Sequence, residues 1–427
     1  MSQPKATEVA SAPRSKITKL LLISVLTVGV AGAIVWGIER WQSWPLRQGE
    51  AALAAGNPGK AEAFAGFYLD GAPDDPRGLS LRARALVALG RGDEAVAIFE
   101  EIGAASNDDV HAWAAAYLLT ESWSRASQLL NQFLRMQPGN TDATYELATC
   151  TARLGQLKEA IQLAIRYTDL SGRHAEGNLL QAIFYQDLGD SASAAAAYQR
   201  ALEANPDAVD LQLPPHDIFL QYGNTLLDQG NATAAISQFQ RSIAILPTGE
   251  AYFRLGRAAA QTGDSAAAVA AWQEAVALQP ASVSPREALA EAALAEGDTA
   301  AAAEWLAPLE EVATERSETA YLMQRLAASN EDQETFTRWK AVADAARERQ
   351  QRDRLIAQFL IAAPSNPWAV AVRAHQFAAA GNWKQANDLL EGLPSSLDGE
   401  PFVQELRGAI EKRGPLPSLD AVPVNEP

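Results

Sequence analysis

A glycine followed five residues later by an alanine recurs along most of this chain, and no other feature narrows its fold as far. The glycines are Gly56, Gly90, Gly155, Gly189, Gly230, Gly263, Gly297 and Gly381; the alanines are Ala61, Ala95, Ala160, Ala194, Ala235, Ala268, Ala302 and Ala386. Between Gly90 and Gly155 one glycine is lost, but Glu121-Ser122-Trp123 and Ala126 hold its place. The intervals 56 to 90, 155 to 189 and 263 to 297 each span 34 residues. Pro73, Pro138, Pro206, Pro247 and Pro280 stand twelve residues after a repeat alanine. Proline removes a backbone donor and clashes with the preceding turn, so a helix must stop there. Each period therefore reads as two helices that cross at the alanine, with a glycine relieving the tight turn between them. A unit this short cannot bury its apolar face alone, so successive units must stack.

Composition agrees with an all-α chain. Hydrophobic residues make up 48% but aromatics only 7%. Alanine, the best helix former, supplies much of the difference, and the β-branched residues form no alternating runs.

The first forty residues follow a different rule. From Leu20 to Ile38 no charge occurs, and 19 helical residues just cross about 30 Å of hydrocarbon. Lys16 and Lys19 precede this stretch, and Trp36, Trp41 and Trp44 follow it, where indole rings favour the headgroup region. The segment reads as a membrane span with residues 1–19 as a basic cytoplasmic end and the body outside the cytoplasm. Ala31-Gly32-Ala33 also has the small-x-small spacing of a signal-peptide cleavage site, which would release a soluble periplasmic protein. Gly29, Ala33 and Gly37 fall four apart and would let two spans pair as a homodimer.

The body's charge limits its partners. Formal net charge is −17, and Lys5, Arg14, Lys16 and Lys19 against Glu8 make residues 1–19 about +3, leaving roughly −20 for the rest. A field of that sign repels phosphate backbones and anionic lipid headgroups, so no nucleic-acid partner is expected. His111, His174, His216 and His375 lie in different repeats at no metal-ligand spacing, and the single Cys150 has no partner for a metal knuckle or an internal disulfide. The recurring glycines sit one per repeat at a helix turn and form no phosphate loop. No catalytic group, metal or cofactor is expected, and the chain reads as a non-enzyme.

The spacings resemble the tetratricopeptide repeat. Tyr222-Gly223, Gly230, Ala235, Phe239 and Pro247 stand at that family's spacing in one unit, and Leu255-Gly256, Gly263, Ala268, Trp272, Ala275 and Pro280 in the next. The resemblance implies an α-solenoid, a right-handed superhelix of helical hairpins, behind one N-terminal transmembrane helix. Residues 42–316 form the main array, with Val209–Pro215 an insertion expected to bulge as a loop. A degenerate repeat plus an extra arginine-bearing helix is expected over 317–366, a plausible place for the array to break. A further repeat with a capping helix near Phe402–Ile410 follows over 367–413, and 414–427, rich in proline, is expected to be disordered.

In the family, the first helix of each repeat lines an inner groove that binds partners. Asp142, Tyr145, Thr149, Leu179, Ile183, Leu220, Asn224, Phe253, Arg257, Glu287 and Glu291 fall at such positions, with Arg254 beside them. Asn224 takes the place of an asparagine that some members use to clamp a peptide's terminal carboxylate, although the lysine expected a turn earlier is absent. The resemblance implies a scaffold at the bacterial cytoplasmic membrane that holds a protein or peptide. The alternative is an accessory subunit of an envelope assembly serving secretion, cytochrome maturation or polysaccharide export, with Arg347, Arg349, Arg352 and Arg354 docking on an acidic neighbour.

Overall fold

The computed structural model describes residues 43–423, in which there are 21 α-helices and no strand. The expected span at 20–38, with Gly29, Ala33 and Gly37, lies outside the described residues. No single described helix is long and apolar enough to cross a membrane.

The chain divides into two compact units, the first ending at Asn231 and the second beginning at Ala232. The first holds α1 (Trp44–Ala54), α2 (Pro58–Leu69), α3 (Pro76–Ala88), α4 (Gly92–Ile102), α5 (Asn107–Leu119) and α6 (Trp123–Met136). It continues with α7 (Thr141–Arg153), α8 (Leu157–Ser171), α9 (His174–Asp187), α10 (Ser191–Ala204) and α11 (Pro215–Asp228). The second holds α12 (Ala232–Ile245), α13 (Gly249–Gln261), α14 (Ser265–Leu278), α15 (Val283–Glu296) and α16 (Thr299–Leu306). After these come α17 (Ser317–Ser329), α18 (Gln333–Ala362), α19 (Pro367–Ala379), α20 (Trp383–Glu391) and α21 (Pro401–Lys412).

Each signature residue performs one local task. All eight turn glycines have φ between +71° and +83°, left-handed backbone that ends the first helix of the hairpin. Glu121 (φ +54°) and Glu331 (φ +57°) adopt the same conformation without glycine's freedom. The polar residue after the turn often caps the next helix. Asp190, Asp264, Asp298 and Asp332 each accept a hydrogen bond from the backbone N–H three residues on, at 2.9–3.0 Å. The repeat alanines, including Ala126, are at most 1% exposed, at the closest helix crossings. Helices α6, α10 and α14 end two residues before Pro138, Pro206 and Pro280, and the intervening Gln137, Asn205 and Gln279 swing to extended backbone.

Two expectations are corrected. The predicted break over 317–366 falls inside the second unit. There α18 runs unbroken for 30 residues, so the degenerate repeat's second helix and the expected extra helix are one. Its first half buries Trp339, Ala343 and Ala346, and near its end Ile356 and Leu360 enter the core of α19 to α21. The tail is ordered as far as residue 423. Leu416, Leu419 and Val422, on either side of and within a 3-10 turn at Leu419–Ala421, pack on that same core. The arginines of α18 also have partners within the chain. Arg349 donates to the Thr314 carbonyl at 2.6 Å and Arg352 pairs with Asp420 at 3.0 Å, while Arg347 meets Asp344 and Arg354 the Gln350 carbonyl.

Candidate partner-binding faces

In a stack with a 34-residue period, a residue on the first helix of one hairpin faces the residue about 34 further along. Side chains that tie hairpins together follow that arithmetic. Arg84 of α3 pairs with Glu50 of α1 and stands 3.5 Å from Asp109 of α5, whose carboxylate also accepts from Ser80 at 2.5 Å. His111 of α5 meets Glu146 of α7 at 2.7 Å, its ring stacked on Phe133 at 4.8 Å. Gln186 of α9 donates to Thr225 of α11 at 2.7 Å. In the second unit Glu291 of α15 faces Arg325 of α17 at 3.6 Å. None of these pairs was singled out from the sequence, although adding one period to each charged position finds several of them.

The sequence-predicted groove residues separate into two sets, one per unit. In the first, Leu220 is buried and turned into the core. Asn224 is half-buried with an Oδ1 that has no hydrogen-bond partner. Tyr145 lies at the surface of α7, its ring edge-on to Tyr167 at 5.3 Å, and burial of its hydroxyl pushes that group's pKa up. In the second, Phe253 gives its carbonyl to Trp272 Nε1 at 3.3 Å, and Arg254 lies over the Phe253 ring while pairing with Glu250 at 2.5 Å. Arg257 is exposed. Glu287 is 9% exposed and holds Arg316 at 2.9 Å together with the Thr319 hydroxyl. It ties α15 to α17, so Leu220 and Glu287 are interior residues rather than groove surface.

The insertion does more than bulge. Residues 205–214 turn back over the starts of α7 and α9, helped by left-handed backbone at Ala208 (φ +53°) and Asp210 (φ +56°). Ala208 is fully buried, and Leu211 and Leu213 pack against the cluster around Leu179, Ile218 and Phe219. Between the two leucines, Gln212 accepts from the Tyr145 hydroxyl and donates to Glu176 at 3.5 Å; Glu176 in turn accepts from Tyr167 at 2.7 Å. Beside this strap lies an open cleft of about 650 Å³ lined by Arg173, His174, Glu176, Asn205, Val209 and Asp210. Left-handed backbone is costly without glycine, and here the burial of Ala208 and the packing of Leu211 and Leu213 offset that cost. The insertion was legible as an insertion, but its contact with Tyr145 carries no sequence signal.

Burial pushes the Cys150 thiol up to about 12, which leaves it protonated at neutral pH. His375 is half-buried, its Nε2 3.0 Å from the Pro417 carbonyl, and partial burial lowers its pKa. Among the described residues no three His, Cys, Asp or Glu side chains converge to hold a metal.

Two family models, both described as tetratricopeptide repeat, match the chain: one over residues 52–119, the other over 111–173, 179–250, 220–283 and 253–311. Solved structures are similar over part of the chain. The C-terminal part of a TPR repeat-containing protein from Cytophaga hutchinsonii is 15% identical over 57% of this chain and 99% of that one, with a TM-score of 0.46. PilW, a type IV pilus biogenesis factor, is 18% identical over 48% and 92%, with a TM-score of 0.40. MamA from Desulfovibrio magneticus is 20% identical over 40% and 93%, with a TM-score of 0.37. No curated protein matches the chain.

Proposed function

The chain belongs to the tetratricopeptide-repeat family, whose models match more than half of it, and from that premise we propose that it is a membrane-anchored scaffold that seats a short non-helical peptide segment on its first unit. One observation carries the reading. The face of α7 and α9 already holds a bent, non-helical segment, the chain's own Leu211-Gln212-Leu213, with two leucines inward and an amide on Tyr145 and Glu176. Apolar anchors on either side of a polar contact give a groove both affinity and register for a peptide segment. A partner segment of that pattern takes the place of the strap.

The anchor is residues 20–38, with the basic residues 1–19 in the cytoplasm and the body in the bacterial periplasm. Catalysis forms no part of this reading. Two measurements test it. A photo-crosslinking residue in place of Tyr145 should capture a partner in intact cells, while one in place of exposed Gln162 on the opposite helix layer should not; equal capture at both positions contradicts the proposed face. Protease added to intact spheroplasts should digest the body, and protection until lysis would place it in the cytoplasm.

A further inference from the structure

The first hairpin carries an apolar face that nothing in the described chain covers. Trp44 opens α1 with 47% of its surface exposed and meets Phe64 of α2 edge-on at 5.7 Å. Phe67, one helical turn beyond Phe64, is 64% exposed. Lys60 precedes Phe64 by one turn, its ammonium 6.0 Å from the ring centroid. Aromatic rings bordered by a cation suit the boundary between lipid headgroups and acyl chains, where the ring is apolar and its margin wet. The hairpin's carboxylates lean elsewhere. Glu50 is held by Arg84 and Glu62 by Arg91, both from the second hairpin, which leaves Asp70 at the far end of α2.

The sequence limits how far this face can lie from a bilayer. The uncharged stretch ends at Ile38, six residues before Trp44, and Trp41 falls between them. Six residues reach at most about 20 Å even when fully extended. A second copy of the chain is the competing occupant, but one hairpin's cluster of three aromatics falls well short of the roughly 800 Å² per partner of a stable interface. We propose that Trp44, Phe64 and Phe67, with Lys60 at their edge, bed the first hairpin on the lipid surface beside the span. This inference rests on the membrane span proposed above.

The test uses the full chain with Phe67→Cys, labelled with a small fluorophore and reconstituted into vesicles of phosphatidylcholine and phosphatidylglycerol in equal parts. Cys150 is fully buried, so the unsubstituted chain supplies the labelling background. Leu188→Cys, four hairpins along the first unit, is the comparison site. Doxyl-labelled lipid should quench position 67 several-fold more than position 188, and aqueous iodide should show the reverse order. Flotation with the vesicles and equal quenching at both sites overturns the lipid bed while leaving the span in place. Failure to float removes the span, and the lipid bed with it. Cross-linking of two copies through position 67 with little lipid quenching assigns the face to a second copy and overturns the proposal.

Discussion

Two hairpins of the second unit, α13–α14 and α17–α18, differ at each signature position and so separate what those residues do. The first has Gly263 at the turn, Ala268 at the crossing and Pro280 at the stop. The second has Glu331, Phe336 and Glu348 at the corresponding places. The turn survives the exchange, because Glu331 accepts the left-handed backbone and Asp332 still caps the next helix. The crossing changes, with Phe336 pushed to partial exposure and Trp339, Ala343 and Ala346 buried instead. The stop is lost, and α18 runs on to Ala362. Of the three residues, proline sets helix length, alanine sets closeness, and glycine only lowers the cost of a turn that forms without it.

The largest expected effect comes from restoring the missing stop. Glu348→Pro should cost about 3 kcal/mol, since it removes an internal helical hydrogen bond and clashes with the turn before it. A denaturation midpoint that does not move would mean that two separate helices meet there. Ala268→Leu should cost about 2 kcal/mol, because the added carbons must enter the closest crossing. Phe336→Ala, at the looser crossing, should cost clearly less in the same measurement. Glu287→Ala should also cost about 2 kcal/mol; it strands Arg316, but that side chain is 40% exposed and partly recovers solvent.

These contrasts also show how far the sequence could be read. Turns, crossings and most stops were legible by counting, because one residue type answers one backbone demand. Helix α18 was misread by imposing the repeat's length on a stretch with no proline or glycine between Asp332 and Pro364. The tail was misread because its prolines suggest disorder, whereas Leu416, Leu419 and Val422 give it a docking edge. In the candidate site, Tyr145 was legible from its place in the repeat. Its contact with Gln212 was not, since left-handed backbone at Ala208 and Asp210 is decided by packing and not by residue type.

Smaller effects refine the comparison of turns. Glu331→Gly should stabilise the chain by about 1 kcal/mol, and Gly263→Glu should destabilise it by a similar amount, because only the backbone preference changes. No atom stands within 4 Å of a Cβ placed at Gly263, so steric overlap adds nothing. Equal midpoints for Glu331→Gly and the parent would show that the turn is unstrained.

The smallest effect concerns a tie between hairpins that responds to pH. At His111, burial favours the neutral ring, but the bond to Glu146 and the charges of Glu146, Asp142 and Asp108 outweigh it and raise the pKa. The gain from this pair is therefore complete below about pH 6.5, the unfolded value, and is lost as pH rises through the higher folded value. The parent's melting midpoint should fall across that window relative to His111→Gln, and parallel curves would remove His111 from the account.

The central claim, that the first unit's face seats a non-helical peptide segment, is tested most directly by offering the strap in trans. Residues 207–213 would be replaced by a short Gly-Ser connection, retention of fold checked by circular dichroism, and a synthetic peptide of residues 206–214 titrated while amide shifts are followed. The open variant should show saturable shifts centred on Tyr145 and Glu176, with an affinity in the millimolar range typical of a short segment freed from its tether. The parent chain, its face already filled, should show none. A folded open variant whose spectrum ignores the peptide would contradict the claim.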